Sequence, residues 1–189
     1  MTRPAARPDK DLLFVDVETT GLRPGYHEVI QVGAIRTTPD GKSVKEKYVA
    51  KIAPAFISRA EPKALEVNGY TPELWAPEHC TPAGTVALDL LAIGRDTTFA
   101  AHNAAFDDNF LGAFLEGLRV SRPWGYHLID TQTLAQLLNK RVLDIGGYSL
   151  DKIAAHFGWP RSEKHDALED AELARKTYLE AIRLLVERP

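Results

Sequence analysis

Hydrophobic and polar positions change their period several times along the chain, and each change marks an element. From residue 11 the pattern is strand-like: LLFVDVET, EVIQVGAIRT and KEKYVAKIAP are apolar or alternating runs, each bounded by Gly, Pro or Asp. Short turns between them predict three antiparallel neighbours. The proline-rich stretch 54–82 holds no sustained period and predicts a long irregular connection with one short helix around residues 62–67. Beyond it the pattern alternates: a helix near residues 83–93, a strand at TTFAAHN, a helix over AFDDNFLGAFLEGL, a strand at HLIDT and a helix over TLAQLLNK. Two further helices are expected, one over SLDKIAAHFG with Ser149 as its N-cap and one over about residues 167–186, with Leu, Ala, Tyr and Ile at helical spacing. The whole predicts an α/β fold: a mixed sheet of about five strands, the first three antiparallel, flanked by α-helices.

The first ten residues, rich in Arg, Pro and Ala, carry no period and are expected to form a flexible leader, leaving residues 11–189 as a single domain. With 189 residues, 44% hydrophobic and 26% charged, the chain has ordinary globular composition and room for one core. Its 23 Lys and Arg against 26 Asp and Glu leave a net charge of -3, which excludes a strongly basic footprint for long nucleic-acid or membrane contacts. The single cysteine, Cys80, excludes an internal disulfide and a Cys-rich zinc site and fits a reducing, cytoplasmic setting. No apolar run reaches the roughly 18 residues of a membrane helix, and no membrane partner is expected.

Candidate chemistry lies in three acidic segments. Asp16 and Glu18 stand two apart on an apolar strand, so both carboxylates point to one face. Two neighbouring anions there need a cation, or else they mark a solvated strand end. In His165-Asp166-Ala167-Leu168-Glu169-Asp170, Asp166 and Glu169 have capping-box spacing, which starts the last helix at Ala167. His165 and Asp170 then occupy the two positions that meet in a hydrophobic staple, bringing imidazole beside carboxylate; an ordinary capped surface helix is the bland alternative. In HNAAFDDNFL, with Asn103 as N-cap, Asp107 shares its stripe with Phe110, Leu111 and Phe114. An inward aspartate requires a partner or a metal, whereas Asp108 is expected to be solvated. Lys42, Lys45, Lys47, Lys51, Arg59 and Lys63 form a modest basic stretch, read either as a phosphate track or as a solvated strand face.

Taken together, these segments resemble the DnaQ-like (DEDDh) 3′-to-5′ exonuclease family on the ribonuclease-H-like fold. The first is Asp16-Val17-Glu18-Thr19-Thr20-Gly21-Leu22, the second His102-Asn103-Ala104-Ala105-Phe106-Asp107 with Phe110 and Leu111, the third His165 with Asp170, preceded by Tyr148-Ser149-Leu150. The resemblance runs over about residues 12–185, and the His-x4-Asp spacing matches the subgroup that uses histidine. Ala64-Leu65-Glu66-Val67-Asn68-Gly69-Tyr70-Thr71 is similar to the family's linker, with Tyr70 where an aliphatic residue is usual.

The resemblance implies hydrolysis of single-stranded DNA or RNA from its 3′ end with two Mg²⁺ ions, Mn²⁺ substituting, held by an all-oxygen set. Asp16 is implied as bridging ligand, Glu18 and Asp170 as completing the nucleophile-side site, and Asp107 as holding the leaving-group side. His165 is implied as general base. Thr19, Thr20, Gly21 and Leu22 are implied to grip the terminal nucleotide, with Leu22 against its base. His102, Asn103 and Phe106 are implied as positioning residues, Phe106 being equally well placed in the core. Homodimerisation is an expectation by analogy alone. Because no long segment follows the last helix to serve as a tether, a stand-alone trimming enzyme is expected over a polymerase proofreading subunit. A non-enzymatic nucleic-acid-binding module is the alternative from another class, and the complete carboxylate set argues against it.

Overall fold

The structure is a computed structural model that describes residues 9–141 and 144–185. The expected leader therefore falls almost wholly outside the described residues, as does Val186 at the expected end of the last helix. Five strands form one sheet: β1 (Asp11–Thr19), β2 (Val29–Thr37), β3 (Val44–Lys51), β4 (Thr97–Ala101) and β5 (Leu128–Asp130), in the order β3-β2-β1-β4-β5. β1, β2 and β3 pair antiparallel, while β4 and β5 join β1 in parallel, as the switch to alternating strands and helices requires. Among the described residues, six α-helices flank the sheet: α1 (Pro62–Asn68), α2 (Ala83–Gly94), α3 (Ala104–Gly117), α4 (Thr131–Arg141), α5 (Leu150–Phe157) and α6 (Ala167–Leu185).

β1 is the central strand and is covered on both faces, which explains its continuous apolar run. Leu13 and Val15 pack with Leu90 and Ile93 of α2 and with Phe110, Leu111 and Leu115 of α3. Leu12 and Phe14 point the other way, onto Ile35, Ala171 and Ala174 beneath α6. The strand period of two therefore assigns Asp16 and Glu18 to the α6 face as well. Pairing between β1 and β4 runs only from Asp11↔Thr97 to Phe14↔Ala100, so the acidic end of β1 extends past its parallel neighbour.

The connection between β3 and α2 is more ordered than its lack of period suggests, with α1 preceded and followed by single 3-10 turns at Ile57–Arg59 and Pro77–His79. α4 begins at Thr131, earlier than predicted, because Asp130 accepts the Gln132 N–H at 2.9 Å and the Thr133 hydroxyl at 3.2 Å. Ser149 and Asn103 stand at the N-cap positions of α5 and α3, yet neither side chain caps. Asn103 instead takes a left-handed backbone conformation, φ 72°, and gives its own N–H to Asp130 at 3.1 Å. Among the described residues, no helix is long and apolar enough to cross a membrane.

Candidate active site

The acidic segments converge on one crevice of about 420 Å³ at the carboxyl end of β1. Asp16 and Glu18 enter it side by side, Asp16 partly open and Glu18 buried at 7% exposure. Asp107 reaches the same place from the opposite layer. Where β4 has stopped pairing, the Val17 N–H is left free on that edge, and Asp107 accepts it at 3.0 Å. That hydrogen bond fixes a carboxylate 2% exposed in the crevice that Asp16 and Glu18 line. The inward placement predicted for Asp107 is thus the placement observed.

The last segment arrives through α6. Asp166 caps the helix, taking the N–H groups of Leu168 and Glu169 at 3.1 Å each. Only half of the predicted capping box forms, because Glu169 turns to the Ser162 N–H at 2.9 Å. His165 Nδ1 lies 3.4 Å from Asp170 Oδ2, the imidazole-to-carboxylate neighbour that staple geometry predicts. Two residues of β2 admit this segment. Gly33 is paired with Asp16, and a Cβ there would stand 2.3 Å from the Ala167 backbone. Gln31, paired with Glu18, donates to Asp166 at 2.9 Å. α1 supplies a brace from the other side: Asn68 donates to the Thr19 carbonyl at 3.1 Å, and the Val67 carbonyl accepts the His165 N–H at 3.3 Å.

Arg161, on the loop between α5 and α6, brings a cation directly onto the carboxylates. Its guanidinium donates to Asp170 Oδ1 and to Asp151 Oδ1, and its Nη2 reaches Asp170 Oδ2 at 3.2 Å and His165 Nε2 at 3.4 Å. Burial works against its charge, but Asp170 and Asp151 outweigh it and hold the guanidinium more firmly protonated than usual.

Burial and crowding push every carboxyl of the cluster upward. Asp16 is held well above the ordinary range by burial first and then by Asp107, Asp170 and Glu18, with Arg161 opposing. Glu18 is pushed up to about 8, again by burial before the charges of Asp170 and Asp166. Asp107 is raised well by burial against the pull of the Val17 N–H, and Asp170 is raised by burial despite its bond to Arg161. The carboxylate oxygens of Asp16, Glu18, Asp107 and Asp170 suit hard divalent cations, and one atom each of Glu18, Asp170 and the His165 imidazole lie within 4.8 Å of one another. Glu18 Oε1 is buried with no hydrogen-bond partner, an orphan that a cation would satisfy.

The remaining sequence candidates divide by exposure. Leu22, 70% exposed, lines the crevice, as do Thr19, His102 and Phe106. Phe106 also packs on Phe110, ring centroids 4.7 Å apart. His102 is engaged at both nitrogens, with Thr131 Oγ1 at 3.1 Å and the Tyr148 carbonyl at 2.8 Å, and burial lowers its pKa. Because a carbonyl only accepts, Nε2 carries the proton. Thr20 and Gly21 do not line the crevice. Thr20 is fully buried, its hydroxyl accepting the Glu28 N–H at 2.9 Å, and Gly21 lies against the His27 ring. Asn103 is exposed outside the crevice. Asp108 is not the solvated group predicted, since it accepts from Trp124 Nε1 at 2.8 Å and pairs with Arg122.

The basic stretch is mostly spent on local partners. Lys45 pairs with Asp11, Lys47 with Glu172 and Lys63 with Glu66, Lys51 lies over Trp75, and Arg59 lies over Phe56. Sequence reasoning passed over Arg161, Gly33, Gln31 and the bracing role of Asn68. Only the Asn68-Gly69 turn carried a local signal.

A five-stranded mixed sheet thus carries acidic groups from β1, α3 and α6 at one end, the arrangement expected of the ribonuclease-H-like fold. The chain belongs to the exonuclease family, whose pattern matches residues 13–178. It is 32% identical over 181 residues to the PolC-type DNA polymerase III of Thermotoga maritima, covering 94% of this chain and 12% of that protein. It is 30% identical to the DNA polymerase III subunit epsilon of Treponema pallidum, covering 86% of this chain and 72% of that one. The fold matches Escherichia coli exonuclease I in its zinc-bound complex with single-stranded DNA, at TM-score 0.81 and 19% identity over 95% of this chain and 42% of that one.

Proposed function

We propose that this domain hydrolyses single-stranded DNA or RNA from the 3′ end, releasing nucleoside monophosphates, with Mg²⁺ as the working ion and Mn²⁺ as a substitute. The observation that carries this reading is the meeting of Asp16, Glu18, Asp107 and Asp170 with His165 in one crevice, Glu18 Oε1 lying buried and unpartnered. Those four carboxylates are the residues that would hold the cations. What a bound divalent cation supplies is neutralisation of the phosphodiester and of the oxyanion that leaves. Asp170 faces His165 Nδ1 and keeps a proton on that nitrogen, so that Nε2, which Arg161 Nη2 meets at 3.4 Å, is the atom that would accept one from the attacking water once Arg161 gives way. Leu22 and Phe106 offer apolar surface to the terminal base, and such contacts tolerate any sequence.

The test uses 5′-labelled single-stranded DNA and RNA of equal sequence, with Mg²⁺ or with a chelator. Ladders shortening from the 3′ end only with metal are expected. Internal cuts, or degradation that survives chelation, would overturn the reading.

Proofreading within a polymerase assembly is a second reading, supported by the relatives named as DNA polymerase III. Co-purification of a polymerase with the tagged chain, together with faster removal of mismatched than matched 3′ termini, would favour it. The single cysteine and a nucleic-acid substrate support a cytoplasmic setting.

A further inference from the structure

We propose that Arg161 is a displaceable counter-ion: it holds Asp170 while the site is free of metal and must surrender it when a divalent cation binds. The inference rests on the metal reading above and concerns what this chain adds to it. Asp170 is 3% exposed, and its two oxygens each take a bond from the Arg161 fork. An Arg fork on a carboxylate is a directional, charge-assisted pair, and here it sets a full positive charge against both oxygens that a hard cation would use. Two positive groups cannot both sit on one buried carboxylate without repelling each other.

The position of Arg161 suits exchange. It comes from the loop between α5 and α6 and not from the sheet, and its Nε is anchored outside the cluster on Asp151, whose side chain is 66% exposed. Asp151 can keep the side chain at the mouth of the crevice while the fork leaves Asp170. Arg161 is therefore a positioning residue for the metal-free site, and divalent binding and the Arg161–Asp170 pair are linked equilibria that oppose each other.

Isothermal titration of the full chain with MnCl₂ alone, paired with thermal unfolding in chelator and in saturating Mn²⁺, tests this. Arg161→Met keeps an apolar stem without the charge; Arg161→Lys keeps the charge without the fork. Mn²⁺ should bind Arg161→Met about fivefold or more tightly than the wild type, the low end of ordinary coupling, with Arg161→Lys between the two. The unfolding temperature of Arg161→Met should fall in chelator and approach the wild-type value in Mn²⁺. Unchanged or weaker Mn²⁺ binding by Arg161→Met, or an equal loss of stability with and without metal, would overturn the proposal and leave Arg161 a structural tie. If Arg161→Met does not fold without metal, Arg161→Lys decides: tighter binding than wild type supports displacement, and equal or weaker binding refutes it. If neither the wild type nor either variant binds Mn²⁺, the metal reading itself fails and this inference with it.

Discussion

The two halves of β1 share a backbone and a face but have opposite energetics. In the first half, Leu12, Leu13, Phe14 and Val15 are each at most 4% exposed, and burying such a side chain contributes about 1.5–3 kcal/mol. In the second half, Asp16 and Glu18 continue the face of Leu12 and Phe14 and are enclosed as well, but there enclosure opposes charge and raises both carboxyls. What changes between the halves is the part of α6 above them. Its body presents Ala171 and Ala174, whereas its start presents Asp170 and His165, with Arg161 on the loop before it. One strand thus anchors the fold with the run from Leu12 to Val15 and spends stability on chemistry with the residues that follow.

Substitutions in the two halves should separate stability from activity. Asp16→Ala is expected to lower metal-dependent turnover by about 10³-fold or more, and to raise the unfolding temperature in chelator by relieving a crowded carboxylate. Leu13→Ala should do the opposite, losing about 2–5 kcal/mol of stability while turnover per folded molecule is kept. Measured together by single-turnover degradation and thermal unfolding, the pair fails if Asp16→Ala destabilises the metal-free protein. His165→Ala comes next, with a loss of about 10²-fold and a flattened acid limb in the pH–rate profile. Near-wild-type turnover across neutral pH would remove His165 from proton transfer.

Gly33→Ala should couple the two halves. The new methyl would meet the Ala167 backbone and push the start of α6 away from Asp16, an overpacking that costs about 1–3 kcal/mol. Because His165 and Asp170 move with that backbone, activity per folded molecule should fall as well, unlike Leu13→Ala. Stability loss with unchanged turnover would show that the approach of α6 at this point does not set the site.

These contrasts follow what was legible in the chain. Period-two placement put Asp16 and Glu18 on one face, the helical stripe turned Asp107 inward, and staple spacing set His165 beside Asp170; each is local geometry that a few consecutive residues determine. The antiparallel pairing of the first three strands followed from the short turns between hairpin-like runs, whereas the strand order, with β4 beside β1, did not. Gly33 was not legible, because a strand glycine does not say which backbone comes close. Arg161 and Gln31 were not legible either, since their partners lie on separate elements and a loop arginine has no periodicity to betray its direction. The half-formed capping box has the same cause, as Ser162 competes for Glu169 across a loop whose path the spacing does not encode.

The smallest expected effect concerns pH, and it bears on whether the acidic half is a cost at all. Asp16, Glu18, Asp107 and Asp170 all have carboxyls raised in the folded, metal-free state, Glu18 to about 8. Raised groups bind protons more tightly folded than unfolded, so their contribution is complete below the unfolded carboxylate values near 4 and is lost as pH rises through the folded ones. In chelator, the unfolding temperature should therefore decline progressively from about pH 5, the part due to Glu18 being lost steadily and completely by about pH 8. Saturating Mg²⁺ or Mn²⁺ should flatten or reverse that decline, because a cation binds the ionised carboxylates and stabilises the folded state increasingly as they deprotonate. In Glu18→Gln the decline between about pH 5 and about pH 8 should be shallower by the share that one proton contributes, while the part due to Asp16, Asp107 and Asp170 remains. A wild-type stability that is level or rising across this range in chelator would mean that Arg161 alone neutralises the cluster, and the contrast between the two halves of β1 would disappear.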